Sequence, residues 1–180
     1  MPVIQEHTLD ASKWVDLHAD YLFNYTITRV DNEEIAKVIR EVLLEMGVPK
    51  VGTAYADKEL DAMQEAYAIS RSNYFVVESE GVLLGGAGIA PLKGEDPSVC
   101  ELQKMYFLPQ ARGIGMGHQM IQLCLNFAKE HNFTLCYIET MPNMLAAQKL
   151  YKKMGFSYID HAMGCTGHTS CPVWMTKQLI

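Results

Sequence analysis

Between Pro109 and Gln122 the chain reads PQARGIGMGHQMIQ, and no other stretch constrains the fold so closely. A strand-like run, VCELQKMYFLP, ends as it begins. A helical pattern starts at Gly117, with Ile121, Cys124, Leu125 and Ala128 on one stripe. Glycine weakens a helix by about 0.5–1 kcal/mol relative to alanine, so Gly113, Gly115 and Gly117 at a helix mouth need a reason. A strand, a glycine turn and a helix N-terminus make an anion site, because the first N–H groups lack helical partners and the dipole adds positive charge. The plain alternative is a helix start packed tightly on a strand.

Two nucleotide motifs fail on spacing. A dinucleotide fold wants G-x-G-x-x-G after its first strand, but here the glycines alternate and follow an antiparallel meander. A P-loop wants a lysine after its last glycine, and His118 follows Gly117.

The elements around this stretch set the fold class. Asp31 caps a helix whose Ile35, Val38, Ile39, Val42, Leu43 and Met46 recur at three and four, and Gly47 stops it. A second helix is expected from Asp57 to about Ile69. NYFVVES and VLLGGAGIAPL are strands joined in a hairpin at Glu80-Gly81, and VCELQKMYFLP completes the meander. TLCYIET is a strand, Ala147, Leu150, Tyr151 and Met154 mark a helix closed by Gly155, and FSYID and PVWMTKQL form a final antiparallel pair. Residues 1–24 read as an extension, helical over DASKWVDLHADYLFNY, and Ile27–Val30 as a short strand. The order is α/β: one domain over residues 25–180, a mixed sheet with helices on both faces.

Composition removes several classes. A net charge of −6 argues against nucleic acid as a partner. No apolar run approaches the ~20 residues that span a bilayer, and the first residues lack a secretory pattern, so no membrane partner and a cytoplasmic location are expected. The acidic balance suits a cationic acceptor. Five cysteines without paired spacing argue against a disulfide framework. His161, Cys165, His168 and Cys171 are zinc ligands by type, but Gly164, Gly167 and Pro172 run through them, so a hairpin loop is expected and no metal.

Leu102–Phe156 resembles the GCN5-related N-acetyltransferase (GNAT) family. Its R/Q-x-x-G-x-G/A mark stands here as Arg112-x-x-Gly115-x-Gly117, three residues after Pro109, and AAQKLYKKMGF (Ala146–Phe156) matches the family's A-x-x-L-Y-x-x-x-G-F helix and turn. The resemblance covers roughly residues 27–180. It implies a mostly antiparallel sheet with a splayed pair of strands, and an acetyl-CoA site between them. The backbone of Arg112, Gly113, Ile114, Gly115, Met116, Gly117 and His118 would hold the pyrophosphate. Met105, Tyr106 and Phe107 would pair with the pantetheine arm as with another strand. Two positions depart from the pattern: the usual cofactor-binding asparagine falls one place early, at Asn143 rather than at Met144, and Ile114 stands where many relatives carry a basic residue.

For proton transfer the resemblance implies Tyr151 as general acid, and Glu101 or Glu139 as general base. The rival readings are core packing for Tyr151 and solvent-facing strand residues for the glutamates. On period-two geometry Glu101, Gln103, Met105 and Phe107 should share a face. His168 and Cys171 belong to the last loop, within range of an acceptor pocket. The expected protein is an acetyl-CoA-dependent N-acetyltransferase acting on a small amine or a protein N-terminus. An acyltransferase with a longer donor and a non-catalytic acyl-CoA-binding module stay open, as does pairing of two copies as a homodimer.

Overall fold

Glu80 and Gly81 both take positive φ, 50° and 76°, the conformation a two-residue hairpin turn requires. They join β2 (Asn73–Ser79) to β3 (Val82–Pro91), which returns along β4 (Val99–Phe107). The computed structural model describes residues 30–179 and, for the backbone alone, residues 21–24. Its strands also include β1 (Tyr21–Asn24), β5 (Leu135–Thr140), β6 (Ser157–Ile159) and β7 (Val173–Gln178). Together they make one sheet in the order β1-β2-β3-β4-β5-β7-β6. Only β4 and β5 run parallel; every other neighbouring pair is antiparallel.

Helix α1 (Asn32–Glu45) starts where expected: the Asp31 carboxylate accepts the Glu33 N–H at 2.8 Å. Past its end Gly47 takes φ 64°, and the Val48 N–H reaches back to the Leu43 carbonyl at 3.1 Å. The second helix is not continuous. Residues 54–67 form 3₁₀ turns over Ala54–Ala56 and Lys58–Ala62, then the single turn α2 (Met63–Ala66). Asp57 stands at the capping position but makes no capping bond; its carboxylate faces Lys104 and His168 instead. Helices α3 (Met116–Glu130) and α4 (Leu145–Lys153) match the sequence pattern.

Register shows which face each helix covers. Phe75 pairs with Ala87 and meets Phe127 of α3 edge-on, whereas Tyr74 pairs with Gly88 and lies against Tyr67. So α3 covers one face, and the segment after α1 covers the other. The core between them is aliphatic and aromatic: Ile39, Leu60, Met63, Val76, Ile89, Met120, Ile121 and Phe133 are all buried.

Tyr21–Asn24 pairs with β2 as the edge strand, so these four residues are strand and not the tail of the expected N-terminal helix. The rest of that helix and Ile27–Arg29 lie outside the described residues. The last pair, β6 and β7, is antiparallel as expected, with residues 160–172 as the connecting loop. No helix is long and apolar enough to cross a membrane among the described residues.

Candidate active site

Strands β4 and β5 pair only at Val99–Leu135, Cys100–Cys136 and Glu101–Tyr137. Beyond that point β4 runs on to Phe107 and β5 to Thr140 without pairing, which is the splayed opening expected. Glu101 therefore sits in the crotch of the fork, and Glu139 lies farther out on the β5 arm.

On the β4 arm the register slips by one residue: Gln103 opposes Gly88, but Tyr106 opposes Gly86. The extra residue is a β-bulge at Lys104, whose φ of 49° is left-handed. The Tyr74 hydroxyl donates to the Lys104 carbonyl at 3.0 Å and fixes the bulge from below. This corrects the simple alternation. Glu101 and Gln103 share a face with Tyr106, whereas Met105 and Phe107 point to the other side.

At the far end of β4, Pro109–Ala111 form one 3₁₀ turn and the chain swings into α3. The glycines there have separate causes. Gly113 and Gly115 take φ 76° and 89°, Gly115 as the residue that begins the helix. Gly117 is small because a Cβ there would lie 2.9 Å from Leu150 Cδ2 and 3.3 Å from Met105 Cε. The His118 and Gln119 N–H groups fold back to the Gly115 carbonyl, so the amides of Met116 and Gly117 are the ones presented at the helix mouth. The Arg112 side chain is engaged elsewhere. Its Nε donates to the Phe107 carbonyl at 2.7 Å, and its two terminal nitrogens fork onto Glu45 at 2.7 Å each. Asn143, whose amide the family pattern would turn to the cofactor, donates to the Met46 carbonyl at 3.0 Å and so ties the start of α4 to the end of α1.

A cavity of about 60 Å³ opens in the fork, lined among others by Glu101, Met105, Glu139, Tyr151, His168 and Cys171. The two glutamates differ in their surroundings. Glu101 accepts one bond, from Gln103 Nε2 at 2.6 Å, and Gln103 is itself held by the Tyr67 hydroxyl at 3.0 Å. Burial pushes the Glu101 carboxyl up to about 7, with Gln103 holding it down and Glu139 raising it further. Glu139 is the more fully engaged of the two. It accepts from Tyr137 at 2.7 Å and Thr166 at 2.9 Å, and His168 Nδ1 lies 3.5 Å away.

Three residues complete the site that sequence pattern did not bring together. His168 Nε2 lies 3.2 Å from Asp57, and Lys104 Nζ is 3.0 Å from Asp57 and 3.2 Å from Glu59. Burial pulls the His168 imidazolium down, but the hydrogen bonds to Asp57 and Glu139 outweigh it and hold it at about 9. Burial likewise works against ionised Asp57 and Lys104, and their contacts reverse it: Asp57 is held below the usual range, Lys104 above. Of the four residues weighed as zinc ligands, His161 touches Asp160, Cys165 is exposed, and His168 and Cys171 turn into the cleft. His168, Glu101 and Glu139 offer atoms within 4.8 Å of one another.

Tyr151 is 5% exposed and packs near Phe156, with ring centroids 6.1 Å apart, while also lining the cavity. Burial alone raises its phenol well above the ordinary value, so it stays protonated throughout the neutral range.

A forked sheet with a glycine-begun helix behind the fork and buried acid–base groups inside it is the architecture of an acyltransferase. The chain belongs to the acetyltransferase (GNAT) family, which it matches over residues 39–156. It is 44% identical to the uncharacterized N-acetyltransferase YjgM of Escherichia coli over 154 residues, 85% of this chain and 92% of that protein. A GNAT-family acetyltransferase from Staphylococcus aureus superposes with a TM-score of 0.78 at 18% identity, covering 89% of this chain and 99% of the other. The PaiA N-acetyltransferase of Thermoplasma acidophilum, solved in complex with coenzyme A, superposes with a TM-score of 0.67 at 15% identity, covering 88% and 98%. At those identities the likeness of the two structures is one of fold. Family membership makes the chain an N-acetyltransferase with acetyl-CoA as cosubstrate.

Proposed function

We propose that the enzyme transfers the acetyl group of acetyl-CoA directly to a primary amine, both substrates being bound in the fork at once. The observation that carries this reading is Glu101. It is a carboxyl titrating near neutrality, buried where the two strands part, with a protonated tyrosine across the same cavity.

In this reading the amides at the mouth of α3 receive the pyrophosphate. The unpaired edge of β4 at Met105, Tyr106 and Phe107 hydrogen-bonds the pantetheine arm. The thioester then lies in the fork beside Glu101. Ionised Glu101 takes a proton from the acceptor ammonium, directly or through water, and the freed nitrogen attacks the thioester carbon. A C–N bond forms, and negative charge gathers on the carbonyl oxygen, where a β4 backbone N–H stabilises it. Collapse breaks the C–S bond, the nitrogen gives up its second proton to solvent water, and the Tyr151 phenol protonates the departing thiolate. Proton return from solvent to Tyr151 and proton loss from Glu101 close the cycle. Glu139, hydrogen-bonded by Tyr137 and Thr166 with His168 beside it, positions His168 and Thr166 rather than serving as base. Holding amine and thioester in contact supplies much of the acceleration.

Thiol release from acetyl-CoA, followed from pH 5 to 9 with a set of primary amines, tests this. Wild-type kcat/KM should rise through an apparent pKa near 7, and Glu101→Gln should lose that rise. A wild-type rate that does not change between pH 6 and 8, with chemistry shown to limit it, removes Glu101 as the base.

A further inference from the structure

The acceptor end of the fork contains four carboxylates and two cations, and this imbalance bears on what the enzyme acetylates. Asp57, Glu59, Glu101 and Glu139 face only Lys104 and His168. Lys104 is 3.0 Å from Asp57 and 3.2 Å from Glu59, and His168 lies between Asp57 at 3.2 Å and Glu139 at 3.5 Å. Among the described residues, then, the cleft has no cation whose charge is not already matched.

Resting on the acetyl-transfer reading above, we propose that the acceptor is a small, unbranched alkylamine without a carboxylate or phosphate beside the amine, and that a diamine suits the cleft best. An amino acid would bring its carboxylate against Glu101 and Glu139, where the one cation at hand, His168, is already shared by Asp57 and Glu139, and an unpaired buried charge is strongly disfavoured. An ammonium meets the opposite situation. Glu101 and Glu139 present oxygens within 4.8 Å of each other, a span that one nitrogen can bridge. The Glu101 and Tyr151 side chains, each only 5% exposed, line the cavity; Gln103 binds just one Glu101 oxygen, and the Tyr151 hydroxyl is open to a ligand. The distal ammonium of a diamine offsets the remaining negative charge near Asp57 and Glu59.

Shape points the same way. The cavity is lined by Met105, Tyr106 and Tyr151 as well as by the carboxylates, so a thioester and its acceptor share it and a slender acceptor fits best. Thr53 and His168, which line the cavity, belong to two loops that clasp each other. The Ser170 N–H donates to the Gly52 carbonyl at 3.0 Å, Ser170 Oγ donates to the Val51 carbonyl at 3.2 Å, and a Cβ on Gly52 would sit 2.6 Å from Thr169 Oγ1. A thin chain passes under such a clasp more readily than a protein N-terminus with its flanking residues.

Matched pairs that differ only by a carboxylate test the proposal: ethylamine against alanine, and 1,5-diaminopentane against lysine, with kcat/KM read by thiol release. Each amine should exceed its amino acid by at least about 100-fold, and diaminopentane should exceed ethylamine. Glu59→Gln, which withdraws one partner from Lys104, should narrow the diaminopentane-to-lysine ratio severalfold. An amino acid, or a peptide N-terminus, that equals or beats diaminopentane overturns the proposal while leaving acetyl transfer intact. If no amine is acetylated although acetyl-CoA still raises the melting temperature, the acetyl-transfer reading itself fails, and this selectivity with it.

Discussion

The two ends of the fork are made of different material. The end toward α3 is backbone: two glycines in the left-handed region, helix amides without helical partners, and a strand edge left unpaired. Its one strong cation, Arg112, braces the loop against Glu45 and the Phe107 carbonyl. The end toward the β6–β7 loop is side chain: Asp57, Glu101, Lys104, Glu139 and His168, drawn from four places in the chain and gathered in one cluster. Backbone sites fail through shape and tolerate changes of pH. Side-chain clusters fail through charge and titrate. The two ends should therefore be separable by mutation.

The sharpest test is Glu101→Gln, expected to lower kcat/KM by about 10³-fold at pH 8 and to flatten the acidic limb. The Kd for acetyl-CoA should stay within about twofold if the ends are independent. Weakened cofactor binding in this variant would break the comparison. Tyr151→Phe removes the proton donor and keeps the ring, so kcat should fall about 10²-fold with the pH profile retained. An unchanged kcat, with chemistry limiting, would make Tyr151 a packing residue.

Gly115→Asp probes the other end, forcing a side chain into a φ of 89° and placing negative charge at the helix mouth. The acetyl-CoA Kd should rise at least about 30-fold by isothermal titration, while the apparent pKa near 7 survives in the residual rate.

Stability separates the ends as well. Glu101 titrates near 7 in the fold against an ordinary 4.5, so it is the neutral form that the fold prefers. Its contribution is fully present below pH 4.5 and is lost as pH rises through 7, a loss on the order of 3 kcal/mol. Glu101→Gln should then raise Tm by about 6 °C at pH 8 and by almost nothing at pH 4.5. An equal gain at both pH values would mean that the carboxyl is not held neutral by burial. The smallest effect is expected for Asn143→Ala, which removes one bond to the Met46 carbonyl: about 1 kcal/mol in urea unfolding, with no change in pH profile.

The same contrast explains what could be read beforehand. The α3 mouth was legible because its causes are local: a strand, three glycines and a helix lie within one short stretch, and glycine announces the backbone shape it permits. Glu101, Glu139 and Tyr151 were singled out by the family resemblance, and the fold sets all three along one cavity. Asp57 and His168 carry no local signal for each other, since their meeting depends on how two distant loops close. The second helix was expected from apolar spacing that is real, as Leu60 and Met63 are fully buried, but the backbone leaves the helical region at Ala62, with φ −146° and ψ 48°, and the stretch divides into turns. The face of Met105 was misjudged for a similar reason. A bulge at a lysine leaves no mark of the kind that a glycine would.

That bulge makes the length of β4 a chemical quantity. Remove any single residue between Gln103 and Tyr106, and the ladder to β3 becomes regular, with better pairing and no left-handed lysine. The repaired strand would still set Gln103 opposite Gly88 and Tyr106 opposite Gly86, so the base and the cofactor arm would keep their faces. What it would lose is one of two side chains: Lys104, paired with Asp57 and Glu59, or Met105, which borders the mouth of α3. The irregular strand is how β4 carries both within one span.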